Sequence, residues 1–242
     1  MEIYSKTDIG QRRKQNQDST KYKILSPSCV WAIVCDGMGG MNGGMEASNL
    51  AVEYISDYLD KKFSEKTQKK DIPALMISAV EEANVEIIKK AKENIELTGM
   101  GTTCEFVIVR DESVYIIHIG DSRIYSVRGG KILQLTEDHS VVQEMVKRGE
   151  ITQEQADNHP NKNFITRALG ISKNVHLDYI EADFKYGDVI LLCSDGLTNY
   201  VTVENMVIMA ADTRLEEYVG KLVDTANSNG GGDNITVVAA AV

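Results

Sequence analysis

Runs of β-branched and aromatic residues recur along this chain of 242 residues, and several are separated only by short polar turns. Turns such as 110–112 and 128–130 are too short for a crossover connection, so the strands that they join must be antiparallel. The predicted strands are 30–36, 103–109, 113–120, 123–127, 175–182, 188–194 and 234–242. This pattern constrains the fold more than any other feature of the sequence.

Apolar residues at helical spacing predict helices that gather in blocks and do not alternate with the strands. The predicted helices are 44–63, 72–97 with Asp71 as its cap, 203–211 and 214–228. We therefore expect an α+β fold, a four-layer α-β-β-α sandwich in which helices flank two packed antiparallel sheets. Segment 136–170 is polar and poor in strands, which indicates a small subdomain that could flank a site.

Composition excludes several classes of protein. The chain is 43% hydrophobic, enough for one domain over 1–242, and its net charge of −10 disfavours nucleic acid and anionic membranes as partners. No apolar run approaches the roughly 18–20 residues of a membrane span, and no signal segment opens the chain. The cysteines lack CxxC spacing, so we expect reduced thiols and a cytoplasmic location. They are Cys29, Cys35, Cys104 and Cys193.

Several aspartates follow apolar runs or stand in turn-like clusters, where a sheet meets its loops. Carboxylate oxygens beside small residues suit Mg²⁺ and Mn²⁺, because backbone carbonyls and water can also approach the ion. If these corners converge, the expected site is a metal cluster that hydrolyses phosphate esters. The aspartates are Asp18, Asp36, Asp121, Asp195 and Asp233.

Other motifs in the chain match known sites in spacing only. Cys104 and Arg110 have the spacing of cysteine-dependent phosphatases, but the residues between them form a strand and not a phosphate loop. The glycine-rich stretch 37–44 lacks the Lys-Ser/Thr of a P-loop. The four histidines show no zinc-ligand spacing, so we interpret them as structural or exposed.

Several short motifs follow one another along the chain, and their order is that of a known protein family. They are RxxNQD at 13–18, DGMGG at 36–40, GTT at 101–103, GDSR at 120–123, LTEDHS at 135–140, TRALG at 166–170, SDGL at 194–197 and GDN at 232–234. In this order the chain resembles the metal-dependent serine/threonine protein phosphatases of type 2C, the PPM family, and particularly its compact bacterial members.

The resemblance implies a role for each matching residue. Asp36 would bridge two core metal ions and position the nucleophilic water, and the Gly37 carbonyl would bind the second ion. Asp195 and Asp233 would complete the first ion's ligands, and Asp18 would support the second through water. Asp121 would hold a weaker third ion that Asp195 shares. The resemblance further implies that Arg13 binds the substrate phosphate and that segment 136–170 is the flap.

Three residues leave alternatives open. Asp121 could instead pair with Arg123, and Arg12 stands beside Arg13 as a rival for the phosphate. Met38 occupies a position where eukaryotic relatives carry a histidine that is a candidate acid. Because methionine has no proton to donate, water or another side chain must protonate the leaving group.

The resemblance implies an enzyme that hydrolyses phosphoserine and phosphothreonine, uses Mn²⁺ or Mg²⁺, and opposes a serine/threonine kinase. We expect a monomer. The rival hypotheses are a catalytically inactive metal-binding domain that recognises phosphoproteins, and a phosphohydrolase that acts on small molecules.

Overall fold

The described strands pair antiparallel throughout and form two sheets. The computed structural model describes residues 1–211 and 213–241. The strands are β1 Glu2–Asp8, β2 Asp18–Ser26, β3 Cys29–Met38, β4 Gly101–Thr102, β5 Cys104–Arg110, β6 Ser113–Ile119, β7 Arg123–Arg128, β8 Lys131–Gln134, β9 Asp178–Asp183, β10 Val189–Cys193 and β11 Ile235–Ala241. One sheet has the order β1-β11-β10-β7-β8. The other has the order β2-β3-β5-β6-β9, with β4 paired to β3.

The helices are α1 Gly40–Lys62, α2 Ile72–Glu93, α3 Val141–Lys147, α4 Gln153–Asp157, α5 Asp195–Thr198, α6 Val203–Ala210 and α7 Leu215–Ser228. Helices α1 and α2 cover the outer face of one sheet, and α6 and α7 cover that of the other. Ile55 of α1 and Ile87 of α2 pack in one core with Phe106 of β5. On the opposite side, Leu222 of α7 packs in a second core with Val237 of β11. The predicted α-β-β-α sandwich is confirmed.

A third core lies between the two sheets. Successive side chains of a strand point to opposite faces, and β3 is buried on both. Trp31 and Ile33 therefore pack under the helices, whereas Ala32 and Val34 meet residues such as Leu192 of the other sheet. This double burial explains why β3 reads as a continuous apolar run and not as an alternating one.

The structure corrects several predicted boundaries. Helix α1 begins at Gly40 and not at 44, and α2 ends at Glu93 before a separate 3₁₀ turn, Ile95–Leu97. Asp71 stands at the cap position of α2, but its side chain makes no capping hydrogen bond. The last predicted strand is present as β11, and its final predicted residue, Val242, lies outside the described residues.

Segment 136–170 carries the two short helices α3 and α4. Ser140, near the start of the segment, forms an antiparallel bridge with Ile165. Leu169, near its end, forms another with Thr102 of β4. The His139 N–H donates to the Gly120 carbonyl at 2.7 Å, which places the segment beside the end of β6, where Asp121 follows the strand.

Within the described ranges, we find no helix that combines the length and the apolar content needed to cross a membrane.

Candidate active site

Four of the predicted aspartates line one cavity of about 340 Å³. Asp36 lies near the end of β3, and Asp121 follows β6 in the same sheet. Asp195 follows β10 and Asp233 precedes β11, both in the other sheet. The cavity therefore lies where the ends of the two packed sheets meet, and residues far apart in sequence converge on it as predicted.

The backbone of Asp36 is fixed by the residues around β4. Its N–H donates to Oγ1 of Thr103 at 2.9 Å. Its carbonyl accepts from the Thr103 N–H and from Oγ1 of Thr102, each at 2.9 Å. These bonds fix the backbone of Asp36 at the cavity wall.

Gly37 also lines the cavity, at a point where two backbone segments come very close. A Cβ on Gly37 would lie 2.0 Å from the Gly44 carbonyl oxygen and 2.7 Å from that of Gln17. Its N–H donates to that Gln17 carbonyl at 3.1 Å. Only glycine allows this approach, which brings the start of α1 against the end of β3.

Asp18 lies behind the cavity and is not part of its wall. It pairs in register with Asp36 across β2 and β3 and is only 9% exposed. Its Oδ2 accepts from Oγ of Ser194 at 2.7 Å, whereas its Oδ1 has no hydrogen-bond partner among the described residues. Burial, followed by the charges of Asp195 and Asp233, raises the pKa of Asp18 to about 7.

Asp195 has one free oxygen. Its Oδ2 accepts from Nδ2 of Asn199 at 3.0 Å, while Oδ1 is buried without a hydrogen-bond partner in the described part of the chain. Burial and then the charge of Asp233 raise the pKa of Asp195 to about 6. A buried carboxylate oxygen without a donor is costly unless another group, such as a cation, satisfies it.

The carboxylates at the cavity repel one another. Burial is the main cause that raises the pKa values of Asp36 and Asp121 well above the usual range, and the neighbouring carboxylates add to it. The carboxylates surround an open space. In residues 1–211 and 213–241, no three His, Cys, Asp or Glu side chains are spaced as a finished ligand shell. The arrangement attracts positive charge and leaves room for water beside it.

Arg13 stands at the rim of the same cavity. Its Nη2 donates to Oδ2 of Asp233 at 2.7 Å, and about half of its side chain is exposed. The hydrogen bond to Asp233 raises the pKa of Arg13, so the guanidinium stays charged. Its other N–H groups can meet an anion that enters the cavity.

Comparison with known proteins identifies the family. The family model described as "Protein phosphatase 2C" matches residues 10–236. The chain belongs to the protein phosphatase 2C family. It is 39% identical over 234 residues to the serine/threonine phosphatase stp of Listeria monocytogenes, a match that covers 96% of this chain and 92% of that protein.

Solved structures of other serine/threonine phosphatases have the same fold. The S. agalactiae serine/threonine phosphatase superimposes with a TM-score of 0.92 at 36% identity, covering 100% of this chain and 99% of that chain. The catalytic domain of PstP, solved with two manganese ions, gives a TM-score of 0.85 at 31% identity, covering 98% and 96%.

The structure resolves the alternatives for Asp121 and Arg123. Arg123 makes two hydrogen bonds to Asp138, from Nε at 2.8 Å and from Nη2 at 2.7 Å, and so it is not the partner of Asp121. Asp121 and Asp195 also line a second cavity of about 440 Å³, which extends beneath segment 136–170. Asp121 is therefore open to both spaces.

Several residues that support the walls of the cavity had no predicted role. Asn234 is the clearest: its Nδ2 donates to the carbonyls of Ile9 and Gln15, each at 2.9 Å, and its Oδ1 accepts from the Gln17 N–H at 2.8 Å. It thus fixes the loop that carries Arg13. The position of Asn234 directly after Asp233 was the one available signal. The other residues without a predicted role are Thr103, Ser194 and Asn199.

The motifs that matched other sites by spacing alone belong to the scaffold of the fold. Cys104–Arg110 is strand β5, and Gly37–Gly44 joins β3 to α1. His118 is fully buried against Glu105, with its Nδ1 2.6 Å from Oε1. The ring of His139 lies 4.4 Å from that of His118. These histidines are structural, as predicted.

Proposed function

We propose that this chain is a serine/threonine protein phosphatase that requires divalent cations and hydrolyses phosphoserine and phosphothreonine. The observation that carries the proposal is the convergence of Asp36, Asp121, Asp195 and Asp233 on one cavity with Arg13 at its rim. Membership of the protein phosphatase 2C family and the named activity of the relatives support it.

The donor set fits a hard cation such as Mn²⁺ or Mg²⁺. Carboxylate oxygens are the ligands that these ions prefer, and the buried Oδ1 of Asp195 lacks any other partner among the described residues. We propose that Asp36, Asp195 and Asp233 hold two core ions, helped by the Gly37 carbonyl. Asp18 would act through water from behind. Asp121, with Asp195, would hold a weaker third ion.

When bound, such cations neutralise charge on the phosphate and activate water as a nucleophile at neutral pH. The chain's own residues supply position and orientation. The bonds of Thr102 and Thr103 keep Asp36 where the nucleophilic water must be held. Arg13 can hold two phosphate oxygens, with a fork geometry that lysine lacks.

The leaving serine or threonine oxygen needs a proton. Met38 lines the cavity where an acid would be useful, and a thioether has no proton to give. We infer that water in the open cavity protonates the leaving group.

We further propose that residues 1–242 act as one catalytic domain, with segment 136–170 as a flap beside the cavity. Lys162 of this segment donates to Oδ1 of Asn199 at 3.0 Å, and Asn199 in turn holds Asp195, so the flap contacts the site. The family resemblance supports a bacterial serine/threonine kinase as the opposing enzyme. We keep a cytoplasmic monomer as the expected state.

Turnover of p-nitrophenyl phosphate and of a phosphothreonine peptide, measured with Mn²⁺ and with EDTA, tests the proposal. We expect turnover of both substrates with the metal and none with EDTA. Phosphopeptide binding without turnover at any metal concentration would favour an inactive interaction domain. Faster turnover of a sugar phosphate than of the phosphopeptide would favour a small-molecule phosphohydrolase.

A further inference from the structure

An exposed isoleucine, Ile171, is held rigidly beside the active-site cavity. Its side chain is 56% exposed, yet the residues on both sides of it are fixed by the buried Asn84 of α2. Asn84 Oδ1 accepts from the Gly170 N–H at 2.7 Å, and its Nδ2 donates to the Ser172 carbonyl at 2.9 Å. The backbone on both sides of Ile171 is therefore fixed, while Ile171 itself stays open to solvent.

A second pair of bonds anchors the same loop to the active-site strand. Leu169 exchanges two backbone hydrogen bonds with Thr102, at 2.9 and 3.1 Å. Thr102 in turn donates to the Asp36 carbonyl. The loop that carries Ile171 and the strand that carries Asp36 are therefore parts of one hydrogen-bonded framework.

Ile171 and Met38 both lie against Gly101. A Cβ on Gly101 would lie 2.9 Å from Cε of Met38 and 3.1 Å from Cδ1 of Ile171. Both side chains therefore occupy the space over this glycine, and Met38 also lines the carboxylate cavity. Together they form an apolar surface that is continuous with the wall of the site.

We propose that Met38 and Ile171 form a specificity surface for one apolar side chain of the phosphoprotein, on a residue near the phosphorylated serine or threonine. This inference rests on the proposed function. Continuity with the cavity argues for the substrate itself as the occupant, because Met38 lines the cavity that would hold the phosphate, and residues next to the phosphorylated one lie within reach of it. Consecutive residues of an extended chain are about 3.3–3.6 Å apart, so a nearby residue reaches the surface.

Because the loop is already ordered, a contact with Ile171 costs little conformational entropy. Ile171 loses little conformational freedom when a partner covers it, since its backbone is already fixed. Removing an isoleucine side chain and a bound apolar group from water is favourable in proportion to the area covered. A partly exposed contact of this size corresponds to roughly a fivefold preference in kcat/KM.

The test uses phosphothreonine peptides in which one leucine is walked through the three positions on each side of the phosphothreonine. Each has a matched peptide with asparagine in that place. For the unmodified protein we expect a preference for leucine of roughly fivefold in kcat/KM at one or two positions. Ile171→Ser should reduce the ratio to about one, and Ile171→Leu should restore it.

Leu133→Ser is the matched control. Leu133 is 64% exposed on β8, at the edge of the other sheet, and its replacement should leave the leucine preference unchanged. Thermal melts confirm that each variant is folded. If no position prefers leucine, or if Ile171→Ser keeps the preference, the inference is wrong. Absence of metal-dependent turnover with p-nitrophenyl phosphate and with every peptide would instead refute the proposed function.

Discussion

Arg13 donates from Nη2 to Oδ2 of Asp233 across 2.7 Å, which joins the loop after β1 to the loop before β11. The neighbouring Asn234 holds both loops together through its amide. The guanidinium is thus positioned at the cavity rim before any substrate arrives. Preorganisation of this kind reduces the entropy lost when an anion binds.

Replacement of Arg13 tests its role as the phosphate-binding residue. We expect Arg13→Ala to raise KM for a phosphopeptide about tenfold, since a charge-assisted hydrogen bond contributes about 1.5–3 kcal/mol. Steady-state kinetics over a range of peptide concentrations measure this change. Arg12→Ala is the adjacent control and should change KM little. A KM that rises for Arg12→Ala and not for Arg13→Ala would assign the phosphate to Arg12.

Replacement of Asp195 should have opposite effects on activity and on the stability of the metal-free protein. Asp195→Asn should lower turnover by more than about a hundredfold, because losing even an outer hydrogen-bond partner of a metal ligand costs roughly 10- to 100-fold. The same change should stabilise the protein in EDTA by about 1–3 kcal/mol, since it removes a buried charge with one unpartnered oxygen.

Activity assays with saturating Mn²⁺ and calorimetric melts in EDTA measure the two effects. Asp224→Asn, at a carboxylate that is 71% exposed, is the control and should change neither by much. Near-normal turnover of Asp195→Asn at saturating Mn²⁺ would rule out its role as a metal ligand.

Replacement of Asp121 separates the third ion from the two core ions. Asp121 faces both cavities, and Asp36, Asp195 and Asp233 remain in place without it. We expect Asp121→Ala to lose turnover roughly tenfold to a hundredfold while calorimetry still shows two tightly bound Mn²⁺ ions. Loss of the tight ions as well would mean that Asp121 belongs to the core set.

The buried pair Glu105 and His118 predicts a dependence of stability on pH. Burial raises the pKa of Glu105 to about 7. Burial alone would lower the pKa of His118, but the charge and hydrogen bond of Glu105 outweigh it and raise the value to about 9. Both groups hold protons more tightly when folded. The unfolding free energy should therefore decrease as pH rises from 4.5 to about 7 through Glu105, and from the ordinary histidine value of 6.5 towards 9 through His118.

Glu105→Gln removes the cause of this dependence. We expect it to destabilise the protein by about 1–3 kcal/mol at neutral pH, because His118 loses its charged hydrogen-bond partner and burial then lowers the pKa of its ring. It should also flatten the decrease between pH 6.5 and about 8 in urea unfolding of the metal-free protein. Glu53→Gln, at an exposed carboxylate of α1, should keep the slope of the unmodified protein. An unchanged slope in Glu105→Gln would assign the titration to other groups.

The central strands could be predicted because they are buried on both faces and read as uninterrupted apolar runs. The strands β1, β2, β4 and β8 were not predicted: β4 has only two residues, and the other three were missed for the converse reason. β1 and β2 contain exposed polar residues such as Ser5 and Lys21, and β8 is a short edge strand in which Leu133 faces solvent. At the edge of a sheet, pairing with a neighbour stabilises such segments more than their own composition does.

The sequence by itself determined which carboxylates stand at strand ends, since that depends on local pattern and motif order. Only the tertiary structure decided how they share one cavity. Asp18 lies behind Asp36 because of the register between two strands, and Arg13 meets Asp233 because the two ends of the chain pair as β1 and β11. The clamp of Asn84 around Ile171 is likewise invisible in the sequence. Contacts between residues so far apart along the chain depend on how the sheets and helices pack, and no local pattern encodes that packing.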